Sequence, residues 1–219
     1  MQPYSRELLA ELRAIHRAIR PDIERQLARF RAVWRKGSDE DIFCELVFCL
    51  FTPQSSAHRC WDAVEILKAN DLVFSGRCEE ISERINMVRF RNNKASYVVR
   101  ARALFSSHGE MKIKSVLESI PDVFERRRFL ATNVKGMGWK EASHFLRNTG
   151  FGENLAILDR HVLKNLVLSG VIPGIPHSLT PRRYFEIENR MKAFAKEILI
   201  PLAHLDFVLW YREAGDVFK

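Results

Sequence analysis

Between Ile42 and Phe51 the chain reads IFCELVFCLF, apolar at every position but Glu45. A helix that is apolar all round must be enclosed by protein, so this run predicts a core helix with other elements packed on every side. Its flanks agree with that reading. Ser38 to Asp41 has the S-x-x-D form that opens a helix, and Thr52-Pro53-Gln54-Ser55 breaks it where the chain must surface. With 219 residues, of which 47% are hydrophobic, the chain is long enough to bury a large core without staples.

The remaining patterns are helical. Leu8, Leu12, Ile15 and Ile19 recur at helical spacing, Pro21 is placed to start a second helix, and Ile23, Leu27, Phe30 and Trp34 carry the stripe on to Gly37. Further helices are predicted from Ser56 to about Lys68, near Glu79 to Ile85, from Asn92 to His108, and from Pro201 to Gly215. No internal repeat, low-complexity tract or β-hairpin pattern is present, and the fold class predicted is all-α. Cys44, Cys49, Cys60 and Cys78 form no CxxC pair, which points to buried thiols and to neither zinc nor disulfides.

A net charge of +8 suits a polyanionic partner, although basic surfaces occur elsewhere. No apolar run reaches membrane-spanning length, and Glu7 and Glu11 stand where a transit peptide avoids acids; a protein of the cell interior, in the cytoplasm or at the nucleoid, is expected.

The chemistry concentrates between Leu130 and Asp159, LATNVKGMGWKEASHFLRNTGFGENLAILD. One helix ends at Val134, Gly136 and Gly138 flank Met137 in a tight turn, and a second helix runs from Trp139 to Asn148. Alternate glycines permit positive φ, so successive N–H groups can converge on an anion at the mouth of the second helix. Close packing of an αα-hairpin would use the same glycines. Lys140 lies in the first turn of that helix, where the dipole disfavours a positive charge. A nucleophilic amine must be neutral, and this position with partial burial favours that form; a surface lysine touching phosphate reads equally well from composition. Asp159 precedes Arg160-His161-Val162-Leu163 and is predicted to cap a new helix, its carboxylate accepting backbone N–H bonds.

Three further stretches bear on nucleic acid. Gln54 carries a flat amide able to bond unpaired bases, or simply sits in a helix-cap loop. Val88 to Lys94, VRFRNNK, interleaves cations with an aromatic ahead of a helix, and suits either a phosphate backbone or a solvated basic face. Arg126-Arg127-Arg128 reads as solvated surface. His161 either contacts phosphate or packs.

VKGMGWKEASHFLRN followed by ILDRH resembles the active-site region of the helix-hairpin-helix DNA glycosylases, and KEASHFLRN with the closing LWYREAGDVFK resembles the archaeal-type (type 2) 8-oxoguanine DNA glycosylases with AP lyase activity. The likeness extends from about residue 38 onward. One departure is visible: the superfamily's loop before the aspartate usually carries glycine and proline, whereas Gly150 and Gly152 are present here with no proline ahead of Asp159.

The resemblance implies two helical subdomains with the active site in the cleft between them. Residues 35–153 would form a bundle ending in the hairpin, and residues 1–34 with 154–219 the second subdomain. It implies Lys140 as nucleophile and Asp159 as its catalytic carboxylate, facing one another. DNA contacts fall to Gln54, which would wedge into the gap left by an extruded nucleotide, to Val134, Gly136 and Gly138 at the hairpin, and to His161. Base recognition falls to Lys219, whose α-carboxylate would accept from a guanine-type base, with Trp210 as pocket wall. The partner implied is double-stranded DNA containing 8-oxoguanine or an abasic site, acted on by a monomer away from any membrane. No cofactor is expected. Relatives resembling endonuclease III carry a four-cysteine iron–sulfur cluster after the aspartate, and no cysteine follows Cys78 here; a monovalent cation at the hairpin carbonyls is the one ion that the resemblance admits. Two alternatives stay open: an endonuclease III-like glycosylase for oxidised pyrimidines, and a non-catalytic helix-hairpin-helix DNA-binding module.

Overall fold

A computed structural model describes residues 6–219. Among them are eleven α-helices and one small β-hairpin, and the chain divides into two compact units. One unit comprises Arg31–Thr149; the other, among the described residues, comprises 6–30 with Gly150–Lys219. The first division falls inside an unbroken helix, so no linker composition marks it.

In the unit Arg31–Thr149 the elements after the first helix are α2 (Asp39–Phe51), α3 (Ala57–Ala69), α4 (Cys78–Arg84), α5 (Arg91–Phe105), α6 (Ile113–Glu118), α7 (Val123–Asn133) and α8 (Trp139–Asn148). α2 is the core helix: every residue from Ile42 to Phe51 is buried, and α3, α5, α6 and α8 pack around it. Each large apolar side chain so enclosed contributes about 1.5–3 kcal/mol. Ser38 closes a capping box with Asp41, its Oγ accepting Asp41 N–H and the Asp41 carboxylate accepting Ser38 N–H, both at 3.1 Å. Glu45, 4% exposed, is matched inside the core: Asn148 Nδ2 donates to it at 3.2 Å, and Arg147 donates to Asn148 Oδ1.

Two expectations are corrected here. The helix predicted to reach His108 stops at Phe105, and Ser106–Ser107 (β1) pairs antiparallel with Glu110–Met111 (β2). The turn is His108-Gly109, both with positive φ, a histidine variant of the Asn-Gly hairpin turn and hence hard to see in sequence. Arg127 of the supposedly solvated triplet is 1% exposed. It shares with Leu130 the α7 face that packs on α8, where its Nη1 donates to Ser143 Oγ at 3.2 Å and its guanidinium lies over the Phe124 and Trp139 rings.

The other unit holds most of α1 (Arg6–Lys36) with α9 (Arg160–Leu168), α10 (Pro181–Glu197) and α11 (Leu202–Ala214). Pro21 does not start a second helix: α1 runs through it. Proline removes one helical N–H bond, but Pro21 is exposed, and the buried stripe of Leu8, Leu12, Ile19, Ile23 and Phe30 keeps one register on both sides. Phe30 stacks on Phe207 of α11 at 6.4 Å. Arg212 of α11 reaches both Glu11 and Asn165, at 2.8 Å each.

His16 of α1 and His204 of α11 share a 3.0 Å hydrogen bond. Burial lowers both pKa values from the ordinary 6.5, with Arg20 adding to the effect on His16 and each of His16 and Arg20 acting on His204, against Glu24. Groups whose folded pKa is depressed contribute stability that is full above the unfolded value and is lost as pH falls through the folded one. The melting temperature should therefore drop as pH falls below about 6.5, and the drop should shrink in His204→Gln. An equal drop in both proteins would remove this pair from the pH response.

Candidate active site and nucleic-acid interface

The helix-hairpin-helix is built by α7 and α8. Asp122 caps α7 by accepting Phe124 and Glu125 N–H groups, Val134 ends it, and Met137 N–H returns to Val134 O at 3.1 Å. Val134 is buried, 3% exposed. Gly136 sits at φ +89, and a Cβ there would lie 2.2 Å from the Tyr97 ring of α5. Glycine is thus required twice over, by the backbone and by the close approach of the ring.

Gly138 is different. Its backbone is extended, at φ −97 and ψ −172, so positive φ belongs to one of the two glycines only. Its N–H donates to Glu141 Oε2 at 3.0 Å, the returning half of a capping box at the start of α8. Gly136→Ala is accordingly expected to destabilise the protein by about 2–4 kcal/mol, measured by urea unfolding, and Tyr97→Ala should recover part of that cost in the double variant. No recovery would show that the ring is not the obstacle.

Lys140 is the second residue of α8, its side chain 19% exposed. Its Nζ donates to Thr52 Oγ1 at 3.3 Å and stands 3.6 Å from Glu141 Oε1. Thr52 caps the end of α2, and its hydroxyl donates to Cys49 O at 2.9 Å, which leaves lone pairs facing the amine. The amine is therefore held by two elements rather than free in solvent. Gln54, two residues past Thr52, is exposed at φ +56.

The VRFRNNK stretch splits into two behaviours. Phe90, 53% exposed at φ +58, begins α5 with the Arg89 guanidinium 5.5 Å from its ring. Lys94, by contrast, is 3% exposed and belongs to no solvated face. Its Nζ donates to Phe51 O, Pro53 O and Ser55 Oγ at 2.6, 2.8 and 3.1 Å. Burial lowers its pKa to about 8, with Lys140 and Arg89 adding to the shift. A readable signal did exist: Lys94 stands on the same α5 stripe as Val98, Ala101 and Phe105.

In the other unit Asp159 caps α9, its Oδ1 accepting His161 and Val162 N–H groups at 2.9 and 2.8 Å. The proline-free loop before it is buried from Leu155 to Leu158 and gripped by α10. Ala156 N–H donates to Glu188 Oε1 at 2.7 Å, and Ala156 O accepts the Tyr184 hydroxyl at 2.6 Å. Both groups of one peptide segment three residues ahead of Asp159 are thus held by buried side chains, which replaces the stiffness a proline would supply. His161 packs edge to face on Trp210 at 5.1 Å, and its Nδ1 lies 3.9 Å from Glu213. Trp210 Nε1 donates to Asp216 Oδ1 at 3.1 Å, and Asp216 to Lys219 are half-buried. Of the four cysteines, Cys44, Cys49 and Cys60 are buried, and burial pushes the Cys44 thiol up to about 12; Cys78 is half-buried.

A family model described as 8-oxoguanine DNA glycosylase matches residues 23–200. A protein of Fusobacterium nucleatum named 8-oxoguanine DNA glycosylase/AP lyase is 45% identical over 213 residues, covering 97% of this chain and 98% of its own. The crystal structure of the 8-oxoguanine DNA glycosylase of Thermotoga maritima superposes with a TM-score of 0.87 at 36% identity, covering 97% of this chain and 99% of that one. A Methanocaldococcus jannaschii 8-oxoguanine glycosylase/lyase, solved in complex with a 15mer DNA containing 8-oxoguanine, superposes at 0.85 with 33% identity, covering 97% of this chain and 100% of that one. Likeness at this level along almost the whole chain means that the chain belongs to the helix-hairpin-helix family of 8-oxoguanine DNA glycosylases.

Proposed function

We propose that this protein excises 8-oxoguanine from double-stranded DNA and then cleaves the strand at the abasic site, with Lys140 as nucleophile. The observation that carries the assignment is the placement of the Lys140 amine, mostly buried in the first turn of α8 and hydrogen-bonded to Thr52. The naming of its relatives as glycosylase/AP lyases fits an amine nucleophile, since attack by water would stop at the free sugar.

Lys140 Nζ attacks C1′ as the bond from C1′ to the base breaks, and the base leaves with the bonding electrons and takes up a proton. Asp159, a carboxylate pinned by two N–H donors, stabilises the positive charge that builds on the sugar and assists transfer of the amine's proton. Opening of the sugar ring gives an imine between Nζ and C1′. The imine acidifies the C2′ proton, its loss expels the 3′ phosphate by β-elimination, and water then releases Lys140. This chemistry runs on the chain's own amine and carboxylate. The Val134 carbonyl keeps a lone pair after taking Met137 N–H, and a monovalent cation held there would add positive charge for a phosphate.

In this reading Gln54 fills the gap that an extruded nucleotide leaves, and the hairpin at Gly136 and Gly138 with His161 lies along phosphates. Trp210 and Lys219 are assigned to the base. A repair enzyme works where the DNA is, which gives the nucleoid as its location. The test is incubation with three duplexes, bearing 8-oxoguanine, an oxidised pyrimidine or no lesion. Excision and nicking of the first alone supports the reading; preference for the pyrimidine lesion, or binding without excision, overturns it.

A further inference from the structure

The cation at the end of the core helix has no place in the chemistry just described. α2 has no basic residue in its own last turn, and its final carbonyls leave a negative dipole end inside the protein. Lys94 of α5 supplies the missing charge. Its three donors meet three acceptors, Phe51 O, Pro53 O and Ser55 Oγ, which bracket the loop on both sides of Gln54. Ser55 Oγ also accepts Arg89 N–H at 3.1 Å, so the same point ties down the segment before α5. Between the gripped Pro53 and Ser55, Gln54 is forced to φ +56, a conformation unfavourable for a residue with a Cβ, while its side chain stays exposed. Thr52 has anchors of its own, its hydroxyl on Cys49 O and its N–H on Phe48 O, besides the bond that its carbonyl accepts from Ser55 N–H, so loss of the clamp leaves two of these three bonds untouched.

We propose that Lys94 is a positioning residue for nucleotide extrusion: its ammonium group clamps the Pro53–Ser55 loop and presents Gln54 in a strained, preset conformation for entry into the duplex. The inference rests on the reading above, in which Gln54 is the wedge and Lys140 the nucleophile. Lys94 faces Cys60, Lys140, Arg89 and Glu141, and with a pKa of about 8 it carries its proton at neutral pH, when all three donors are needed. Presetting the loop means that its ordering is already done before DNA arrives, so the loss should fall on the step that opens a base pair.

That step separates positioning from general damage to the protein. Single-turnover excision is measured on 8-oxoguanine paired with cytosine and on the same lesion left unpaired in a single strand, for wild type, Lys94→Met, Ser55→Ala, Gln54→Ala and Lys140→Gln. Lys94→Met should lose about tenfold or more on the paired lesion and less than about threefold on the unpaired one, with Gln54→Ala showing the same bias and Ser55→Ala a smaller one. Equal losses on both substrates, or no loss on either, overturn the proposal. Should Lys94→Met fail to fold by circular dichroism, Ser55→Ala decides by the same ratio. Excision by Lys140→Gln at the wild-type rate, or an unbiased Gln54→Ala, would sink the underlying reading instead; an inactive Lys140→Gln and a biased Gln54→Ala beside an unbiased Lys94→Met and Ser55→Ala would sink the Lys94 inference alone.

Discussion

Asp159→Asn is expected to fold and bind DNA like the wild type and to excise 8-oxoguanine about 100- to 1,000-fold more slowly. Asparagine caps a helix as well as aspartate does, and its Oδ1 can keep both bonds from His161 and Val162 N–H groups. The preceding loop owes its course to Tyr184 and Glu188, which the substitution leaves alone. Under the proposed reaction, what disappears is the negative charge that faces the positive charge building on the sugar. Single-turnover rates should therefore collapse while the melting temperature stays within a few degrees. A rate loss under about threefold would assign Asp159 to capping only, and a loss of stability parallel to the loss of rate would make the effect structural.

Much of this site was legible because its signals are local. The glycine turn, the bounds of α8 at Trp139 and Asn148, the capping box at Ser38 and the aspartate cap at Asp159 each follow from residues within a few positions of one another. The core helix was legible for a different reason, since only enclosure accounts for a run apolar on every face. What escaped the sequence is burial of charge. Lys94 and Arg127 sit in basic stretches whose composition says solvent, and the hydrogen-bond acceptors that they meet, Ser143 for Arg127 and Phe51 for Lys94, are 16 and 43 residues away in sequence. Only their places on the packed stripes of α5 and α7 gave a hint, and a charged residue on a stripe is usually discounted. Pro21 misled for the converse reason: a local helix-starting signal was overridden by a long apolar stripe.

The hairpin illustrates a finer limit. Sequence marks both glycines alike, yet Gly136 is fixed by positive φ and by Tyr97, whereas Gly138 is extended and serves Glu141. Which glycine is indispensable depends on a ring from α5, 39 positions before Gly136, and that contact exists only once the unit has folded.

The claim on which the whole account turns is that the amine of Lys140 becomes covalently joined to the sugar. Glutamine at this position retains a polar side chain that can still donate toward Thr52 but cannot form an imine, so Lys140→Gln should keep the fold and lose the reaction entirely. Borohydride added during turnover reduces the imine to a stable amine and freezes the protein–DNA adduct. Wild-type protein should yield an adduct on 8-oxoguanine duplex that maps by peptide mass to the segment containing Lys140, and Lys140→Gln should yield none. An adduct of undiminished yield in that variant, or a wild-type adduct mapping to another lysine such as Lys94, would contradict the account.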